Sequence, residues 1–200
     1  MRADAPRASP RELKKEIRKR VIAARDALPS ARRRDLSARI TRRLLELPAY
    51  RGARCVLAYL SFGSEFDTGA LVADLLAQGK SLALPRVERA TRSLKLHVVR
   101  DTGTDLAAGV WGIREPRTEV CPEIAPDAID FVLVPGVAFT ARCERLGYGG
   151  GYYDRLIREF GGRSALVAAA FSLQIVPELP MTQSDQAVNL VVTEDAEYRN

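Results

Sequence analysis

The sequence predicts an α/β protein, a three-layer α/β/α arrangement in which helices cover both faces of a mainly parallel sheet. Short apolar runs alternate with amphipathic segments along most of the chain, which is the pattern of βαβ units. The length of 200 residues is enough for one sizeable core, and 46% hydrophobic with 28% charged residues is ordinary for a soluble globular protein. We therefore expect residues 1–9 to form a flexible arm and residues 10–200 a single domain.

Two helices are predicted at the start of this domain, over residues 10–48. The first runs from about Ser9 to Leu28, with Pro10 in its first turn, where a missing N–H is tolerated. Pro29 and Ser30 end that pattern, and Ser30 is expected to cap the second helix. The second helix repeats apolar residues at helical spacing, namely Leu36, Ile40, Leu44 and Leu47.

A βαβ unit is predicted to follow. The apolar run Cys55–Phe62 is typical of a buried strand, and so is Ser81–Val87. Between them lies a helix from about Thr68 to Gln78, which Asp67 or Thr68 is expected to cap and Gly79 to terminate. Further elements are predicted in this order: strands Leu94–Val99 and Asp130–Phe139, a helix ending near Phe160, strand Ser164–Phe171, and strand Val188–Glu194, which closes the sheet.

Features that the sequence lacks narrow the function. The N-terminal residues contain no apolar stretch typical of a signal peptide, and no run approaches about eighteen consecutive apolar residues. We expect a cytoplasmic protein with no membrane partner. Cys55, Cys121 and Cys143 are odd in number and far apart, which fits reduced thiols that act as packing residues and matches no zinc spacing.

His97 is the only histidine of the chain. It lies in the alternating run Leu94–Val99, which is more typical of a packed or exposed strand residue than of a catalytic base. A metal site with several histidines is therefore excluded. Any metal should be a hard cation held by carboxylates and phosphate oxygens, magnesium before zinc.

Basic residues concentrate in the N-terminal third. Residues 1–54 hold 17 Lys and Arg against 6 Asp and Glu, whereas the remainder holds 14 against 19. The runs Arg18–Arg20 and Arg32–Arg34 could form a nucleic-acid footprint, but no aromatic residue interleaves with them and basic helical faces are commonly solvated. Nucleic acid is therefore an unfavoured partner, and the same charge would attract a small anionic ligand.

The stretch Arg145–Arg155, RLGYGGGYYDR, places four glycines and three tyrosines between two arginines. Its spacing matches neither the Walker A pattern nor the dinucleotide fingerprint. Glycines still allow close backbone approach, and a helix beginning near Tyr152 would aim its N-terminal N–H groups and positive dipole end at a phosphate. Arg145 adds charge, and Asp154 beside a phosphate would need a bridging cation such as Mg²⁺. From the residues alone, an anion cradle and an ordinary glycine turn stay equally open.

The segment Pro135–Arg155, PGVAFTARCERLGYGGGYYDR, resembles the signature of the 5-formyltetrahydrofolate cyclo-ligase family, also called 5,10-methenyltetrahydrofolate synthetases, which is roughly PGxAFDxxGxRLGxGxGYYDR. Further blocks follow in the family's order, so the resemblance spans nearly the whole chain. They are Lys14 with Arg18, SEFDT at Ser64–Thr68, LPRV at Leu84–Val87, WGIREP at Trp111–Pro116 and FSLQIVPELPMTQSD at Phe171–Asp185.

The resemblance implies an enzyme on a fold similar to that of sugar-phosphate isomerases and CoA transferases. Its reaction converts 5-formyltetrahydrofolate and ATP into 5,10-methenyltetrahydrofolate, ADP and phosphate. ATP would be the co-substrate with Mg²⁺, the folate could be polyglutamylated, and a monomer is expected. Phosphorylation makes the formyl oxygen a leaving group before N10 attacks within the same molecule, so the site needs positioning and charge more than a strong base.

The resemblance also assigns site residues, at the carboxyl ends of the strands. The ATP-binding set is Lys14, Arg18, Arg145, Leu146, Gly147, Tyr148, Gly149, Gly150, Gly151, Tyr152 and Tyr153. The folate-binding set is Leu60, Glu65, Trp111, Tyr148 and Tyr152. The metal ligands are Asp154 and Asp185. Arg145, on the transferring phosphate, and Tyr152 are the expected catalytic residues.

The chain departs from the family pattern at three positions. Thr140 stands where the family usually has Asp, Cys143 where it has Gly, and Ser184 where a His commonly precedes the metal-binding Asp. A glycine at position 143 suggests positive φ, a conformation that costs a residue with a Cβ about 1 kcal/mol or more.

Two alternatives stay open beside the main interpretation. One is a non-catalytic relative that binds nucleic acid through the basic N-terminal helices, which a steep salt dependence of oligonucleotide binding would reveal. The other is a related ATP-dependent phosphoryl-transfer enzyme with a different substrate, which the small molecules that stimulate ADP release would identify. The three departures from the signature keep this second alternative open.

Overall fold

The structure is a computed structural model and describes residues 9–200, with the backbone alone for Trp111. Apart from Ser9, the predicted N-terminal arm lies outside the described residues. Ser9 forms a capping box, in which its Oγ accepts a hydrogen bond from the N–H of Glu12 (3.3 Å) and Glu12 Oε2 accepts one from the N–H of Ser9 (2.8 Å). This cap places the start of the first helix at Pro10.

The described residues form five α-helices: α1 (Pro10–Asp26), α2 (Ser30–Glu46), α3 (Pro48–Gly52), α4 (Gly69–Ala77) and α5 (Tyr152–Phe160). The helices α1, α2, α4 and α5 were predicted, and α3 was not. Ser30, the predicted cap of α2, is instead its first residue, because Pro29 occupies the N-cap position and offers no side-chain hydrogen bond. At α4, Thr68 is the N-cap residue without a side-chain bond, and Asp67 Oδ1 accepts the N–H of Gly69 at 2.9 Å.

Eleven strands occur in the described part of the chain: β1 (Cys55–Leu57), β2 (Ser81–Glu88), β3 (Ser93–Val99), β4 (Leu106–Ala108), β5 (Arg114–Pro116), β6 (Phe131–Leu133), β7 (Ala138–Phe139), β8 (Arg145–Leu146), β9 (Ala165–Ala169), β10 (Leu190–Val192) and β11 (Glu197–Arg199). Seven of them form one sheet in the order β11-β10-β9-β6-β1-β2-β3, and β4-β5 and β7-β8 form two small sheets. The five central strands run parallel, and the edge strands β3 and β11 pair antiparallel. The prediction of a mainly parallel sheet is confirmed.

Helices cover both faces of this sheet. Successive side chains of a strand point to opposite faces. Val56 accordingly packs in one cluster with α2, α3 and α4, whereas its neighbour Leu57 packs in a second cluster with Leu156 of α5. Helix α1 packs through Val21 against β7 and β8 in a third cluster. The three-layer α/β/α arrangement follows from these contacts.

The apolar run Asp130–Phe139, predicted as one strand, is divided in two. β6 ends at Leu133, and β7 pairs with β8 instead of the large sheet. Pro135 has no N–H to donate to a strand ladder, and a Cβ on Gly136 would lie 2.4 Å from the Phe139 ring. The chain therefore leaves the sheet at Pro135.

Other predicted boundaries also change. The strand predicted over Cys55–Phe62 ends at Leu57, because hydrogen bonds between Ser61 and Thr68, at 3.2 and 3.3 Å, hold the following segment in a loop. The strand predicted over Val188–Glu194 does not close the sheet, since β11 pairs outside β10. The β4-β5 hairpin was not predicted.

The cysteines and the histidine are packing residues, as predicted. Cys55, Cys121 and Cys143 are free and buried. His97 is buried on β3, with its Nδ1 2.9 Å from the carbonyl oxygen of Cys121. Within residues 9–200, no helix combines the length and the apolar character needed to cross a membrane.

Candidate active site

A large cavity of about 1220 Å³ opens at the carboxyl ends of the parallel strands. The segment after β1 lines it with Tyr59, Leu60 and Phe62, the segment after β6 with Pro135, and β2 itself with Leu84. Ligands of open α/β sheets bind at this edge of the sheet. The cavity therefore lies where the sequence predicts a site.

The structure brings the predicted site residues together around this cavity. Its lining includes Lys14, Arg18, Leu60, Glu65, Asp154, Asp185 and the whole loop from Arg145 to Tyr153. Trp111 is the exception, because its side chain lies outside the described part of the chain, although Val110 and Ile113 beside it line the cavity. The roles of all these residues in binding and catalysis remain predictions.

The glycine-rich loop connects β8 to α5. Gly151 is the N-cap of α5 with a φ of +69°, a left-handed conformation that glycine adopts without the penalty of a Cβ. Gly147 lies against the guanidinium of Arg145, where a Cβ would approach Nη1 to 2.8 Å. Because Tyr152 and Tyr153 in the first turn of α5 line the cavity, the positive end of the helix dipole faces it.

Two basic residues of α1 reach into the site. Lys14 Nζ donates a hydrogen bond to Asp185 Oδ2 at 2.5 Å, and Arg18 Nε donates to the carbonyl oxygen of Gly147 at 2.7 Å. Burial lowers the pKa of Arg18, and the nearby carboxylates Asp185 and Asp154 oppose that shift. Two residues of the basic N-terminal third therefore form hydrogen bonds within the protein.

The two carboxylates predicted as metal ligands are each paired with a cation. Arg145 Nη2 donates to Asp154 Oδ1 at 2.6 Å, and the N–H of Gln186 donates to the same oxygen at 3.1 Å. At Asp185, the hydrogen bonds from Lys14 and Thr182 all end on Oδ2. Burial raises the pKa of Asp185, but these hydrogen bonds outweigh it and hold the pKa below its ordinary value.

Two buried polar atoms at the cavity have no hydrogen-bond partner in the described part of the chain. They are Nε of Arg145 and the hydroxyl of Tyr153. Buried polar groups in folded proteins are usually paired, so these two groups beside the cavity are available to a ligand. Burial raises the pKa of Tyr153, and the charge of Glu65 raises it further, so the hydroxyl keeps its proton near neutral pH.

A buried carboxylate, Glu65, also faces the cavity. Its Oε1 accepts a hydrogen bond from the hydroxyl of Tyr148 at 2.6 Å, and its Oε2 accepts one from the N–H of Phe62 at 3.1 Å. Burial raises the pKa of Glu65, and these two hydrogen bonds oppose the rise. A carboxylate has about four acceptor positions, so two remain for the N–H groups of a ligand.

Aromatic side chains line the same cavity as Glu65. Tyr148 and Phe62 are each 42% exposed, and their ring centroids lie 5.4 Å apart. The guanidinium of Arg155 lies over the ring of Tyr152 at 5.4 Å. Such rings present flat apolar faces with a polar edge, which suits a flat heterocyclic ligand.

Only one of the three departures from the family signature lines the cavity, and that residue is Ser184. Thr140 is buried in the β7-β8 turn, where its Oγ1 donates to Glu144 Oε2 at 2.8 Å and accepts the N–H of Glu144 at 3.3 Å. It therefore stabilises the turn. Cys143 in the same turn has a φ of +60°, which confirms the positive φ predicted there.

Two residues around the site were not identified from the sequence. Arg25 donates from Nη2 to the hydroxyl of Tyr148 at 3.0 Å, and Arg155 donates from Nε to the carbonyl oxygen of Arg92 at 2.7 Å. Arg25 follows Arg18 by about two helical turns, so helical spacing was the available signal. Arg155 ends the family signature, which was the available signal, but its hydrogen-bond partner lies 63 positions away.

The fold and the cavity define the class of this protein. It is an α/β protein in which a glycine-rich loop, the N-terminus of a helix and several basic side chains line one cleft, together with a buried carboxylate and exposed aromatic rings. Such a cleft suits a phosphate-bearing ligand next to a flat ligand with N–H groups.

Comparison with known proteins defines the class more closely. The model of the 5-formyltetrahydrofolate cyclo-ligase family matches residues 10–194, and the chain belongs to that family. A 5-formyltetrahydrofolate cyclo-ligase of Haemophilus influenzae is 30% identical over 173 residues, which cover 86% of this chain and 92% of that protein. One of Mus musculus is 28% identical over an alignment of 206 positions, which covers 98% of each chain. The NMR structure of Aquifex aeolicus 5,10-methenyltetrahydrofolate synthetase is 35% identical, with a TM-score of 0.83 and coverage of 94% and 92%.

Proposed function

We propose that this protein catalyses the ATP-dependent cyclisation of 5-formyltetrahydrofolate to 5,10-methenyltetrahydrofolate, with release of ADP and phosphate. Family membership over residues 10–194 supports the reaction. The observation that carries the proposal is that one cavity is lined both by the cationic glycine-rich loop and by the buried Glu65. At about 1220 Å³ the cavity exceeds the roughly 300–1,000 Å³ usual for a single small ligand, so a nucleotide and a folate could lie in it together.

In this proposal, Lys14, Arg18 and the glycine-rich loop bind the phosphates of ATP. The formyl oxygen of the folate attacks the γ-phosphorus, and the bond to the ADP oxygen breaks. N10 then attacks the formyl carbon and loses its proton, and phosphate departs with the electrons of the C–O bond. Arg145 stabilises the transferring phosphoryl group, supported by its buried and unpaired Nε and by the positive end of α5.

The folate would lie against the carboxylate of Glu65 and the aromatic rings that line the same cavity. Glu65 has two acceptor positions left for the N–H groups of the pterin, while Leu60, Tyr148 and Tyr152 line the same cavity. Tyr152 begins α5, directly after the glycine-rich loop that would bind the phosphates. Because the formyl group must reach the γ-phosphate, Tyr152 would contact the substrate near the reacting atoms. The assignment of Trp111 to this group stays a prediction.

The residues present fit a magnesium ion that binds together with ATP. The second oxygens of the two carboxylates, Asp154 Oδ2 and Asp185 Oδ1, accept no hydrogen bond from any residue of the described range 9–200. Two carboxylate oxygens with phosphate oxygens and water are a usual ligand set for Mg²⁺. No cluster of three or more His, Cys, Asp or Glu suited to a metal occurs in the described range, which agrees with an ion that arrives with the nucleotide. When bound, magnesium supplies positive charge that neutralises the phosphates.

We further propose that the protein acts in the cytoplasm as a monomer and accepts polyglutamylated folate. Residues 1–54 hold 17 basic against 6 acidic residues. This positive charge would attract a negatively charged polyglutamate tail and supports only that part of the proposal. Size-exclusion chromatography with light scattering would test the oligomeric state, and KM values for mono- and polyglutamylated substrates would test the tail.

The reaction itself is tested by mixing purified protein with 5-formyltetrahydrofolate and Mg-ATP and following the methenyl product in the near ultraviolet. We expect product only when ATP is present, and loss of activity when magnesium is chelated. Folded protein that binds ATP but forms no methenyl product would overturn the proposal, and would favour a phosphoryl-transfer enzyme with another substrate. Activity that survives chelation would overturn the magnesium assignment alone.

A further inference from the structure

Arg25 on α1 is a buried arginine whose direct partners are uncharged. The residue is 3% exposed, and no carboxylate in the described range forms an ion pair with it. Its guanidinium donates instead to two hydroxyls, from Nε to Ser64 Oγ at 2.9 Å and from Nη2 to the hydroxyl of Tyr148 at 3.0 Å. A buried charge needs compensation, so the groups beyond these hydroxyls decide how Arg25 is stabilised.

Both hydroxyls pass a hydrogen bond on to a carboxylate. The hydroxyl of Tyr148 donates to Glu65 Oε1 at 2.6 Å, and Ser64 Oγ donates to Asp26 Oδ1. Arginine carries donors and no acceptor, so each hydroxyl must accept from Arg25 and point its single proton at the carboxylate. Arg25 therefore sets the direction of both chains of hydrogen bonds.

We propose that Arg25 is a positioning residue of the folate-binding region, which orients the hydroxyl of Tyr148 towards Glu65 and so keeps the Glu65 carboxyl group aligned as a hydrogen-bond acceptor for the ligand. This inference rests on the proposed function of Glu65. Tyr148 belongs to the glycine-rich loop. One chain of hydrogen bonds therefore connects Arg25 of α1, this loop and the side chain of Glu65. The loop conformation and the charge of Glu65 are thereby coupled.

Several other groups face Glu65 and must be considered. They are Tyr59 and Tyr153 and, around a smaller cavity that Glu65 also lines, Arg33, Arg34 and Asp67. Burial has the largest effect on Glu65 and raises its pKa, while Tyr148, the N–H of Phe62 and the charge of Arg25 lower it. Without Arg25, burial is opposed less, and the pKa of Glu65 rises further.

The test uses Arg25→Met and Tyr148→Phe, alone and combined, with Arg20→Met as the matched control on an exposed position of α1. The pKa of Glu65 is measured by ¹³C NMR on protein with labelled glutamate carboxyls and no ligand, and the Glu65 signal is assigned by its absence in Glu65→Gln. We expect a raised pKa in both single variants and, in the double variant, a rise smaller than the sum of the two, because the hydrogen-bond chain is shared while the charge of Arg25 also acts on Glu65 directly. Arg20→Met leaves the pKa unchanged.

The second measurement is affinity for the folate. We expect Arg25→Met to raise the KM for 5-formyltetrahydrofolate about tenfold or more, with a smaller change in kcat. The reason is that the misaligned Glu65 would lose a hydrogen bond from an N–H group of the folate. An unchanged Glu65 pKa in the single variants, or additive rises in the double variant, overturns the proposal. Tyr148→Phe decides the matter if Arg25→Met does not fold, since Tyr148 is 42% exposed. Failure of the proposed function is distinguishable, because the wild type would then form no methenyl product while the NMR titration would still report on Arg25.

Discussion

The thiol of Cys143 donates a hydrogen bond to the backbone carbonyl oxygen of Tyr198, with Sγ 3.0 Å from that oxygen. Cys143 lies in the turn between β7 and β8, and Tyr198 lies in the edge strand β11, 55 positions further on. The contact is made from a residue with a φ of +60°, a conformation that favours glycine. The chain therefore combines a strained backbone with a side-chain contact that glycine cannot make.

Two substitutions separate the strain at Cys143 from its contact. Cys143→Ala removes the thiol and keeps a Cβ at positive φ, whereas Cys143→Gly removes both. We expect the glycine variant to have the higher free energy of unfolding, by about 1 kcal/mol in urea denaturation. Ala38→Gly in the exposed interior of α2 is the control and should lose about 1 kcal/mol. A glycine variant no more stable than the alanine variant would show that the turn is unstrained.

The ion pair between Lys14 and Asp185 should make stability depend on pH. Because the pKa of Asp185 is lowered in the folded protein, its contribution is full above the unfolded pKa and is lost as the pH falls through the folded value. We expect Asp185→Asn to lower the free energy of unfolding by roughly 1–2 kcal/mol at pH 7, and this difference to shrink below about pH 4.

The control for this experiment is Asp35→Asn, which breaks an exposed pair with Arg32. It should change stability by about 0.5 kcal/mol or less. Urea denaturation of the wild type and both variants between pH 7 and pH 3 gives the comparison. A difference for Asp185→Asn that stays constant over this range would contradict the coupling.

The unpaired hydroxyl of Tyr153 should matter to the ligand and not to the fold. Tyr153→Phe removes a buried group without a partner, so we expect the free energy of unfolding to stay the same or to rise by up to about 1 kcal/mol. Turnover or ligand affinity should fall about tenfold, because a donor to the ligand is lost.

Tyr50→Phe is the matched control, since the hydroxyl of Tyr50 donates to Asp74 at 2.9 Å and neither residue lines the cavity. It should lower stability by about 1 kcal/mol and leave activity unchanged. Thermal unfolding and the methenyl assay measure both quantities. If Tyr153→Phe were destabilised and fully active, the hydroxyl would have a structural partner and no part in binding.

Arg145 should be required for turnover beyond its charge. We expect Arg145→Lys to lower kcat about 100-fold, because lysine keeps the charge but lacks the planar fork that reaches both Asp154 and a phosphate. Arg142→Ala, which removes a 70% exposed side chain from the turn just before β8, should leave kcat unchanged. Steady-state kinetics with saturating substrates makes the comparison, and full turnover in Arg145→Lys would remove Arg145 from the chemistry.

Apolar patterning was sufficient to locate the parallel strands, because a strand buried on both faces is an unbroken apolar run. All residues of β6 and β10 are buried, and both strands lie inside the predicted segments. Patterning could not show where β6 stops, since the run stays apolar through the break at Pro135. The edge strand β11 was missed because its residues, Glu197–Arg199, are largely exposed and polar.

Site residues were predicted correctly as cavity-lining where they lie together in one short sequence motif. The resemblance identified the loop from Arg145 to Tyr153, and the structure places it at the cavity. Lys14 and Arg18 came only from the resemblance, since helical spacing alone would leave them on a solvated face. Arg25 was missed because its role depends on Tyr148, which is 123 positions away and comes close only through packing.

Helix α1 has a consequence for how the chain becomes competent during synthesis. It is translated before its partners, because those of Lys14 and Arg18 lie 171 and 129 positions later. A helix of 17 residues is only marginally stable alone in water, so α1 gains most of its stability after β7, β8 and Val176 exist to pack against it. A nascent chain that stalls between Tyr153 and Asp185 therefore carries the glycine-rich loop but lacks the partner of Lys14, and the part of the cavity wall that Lys14 and Asp185 form is missing.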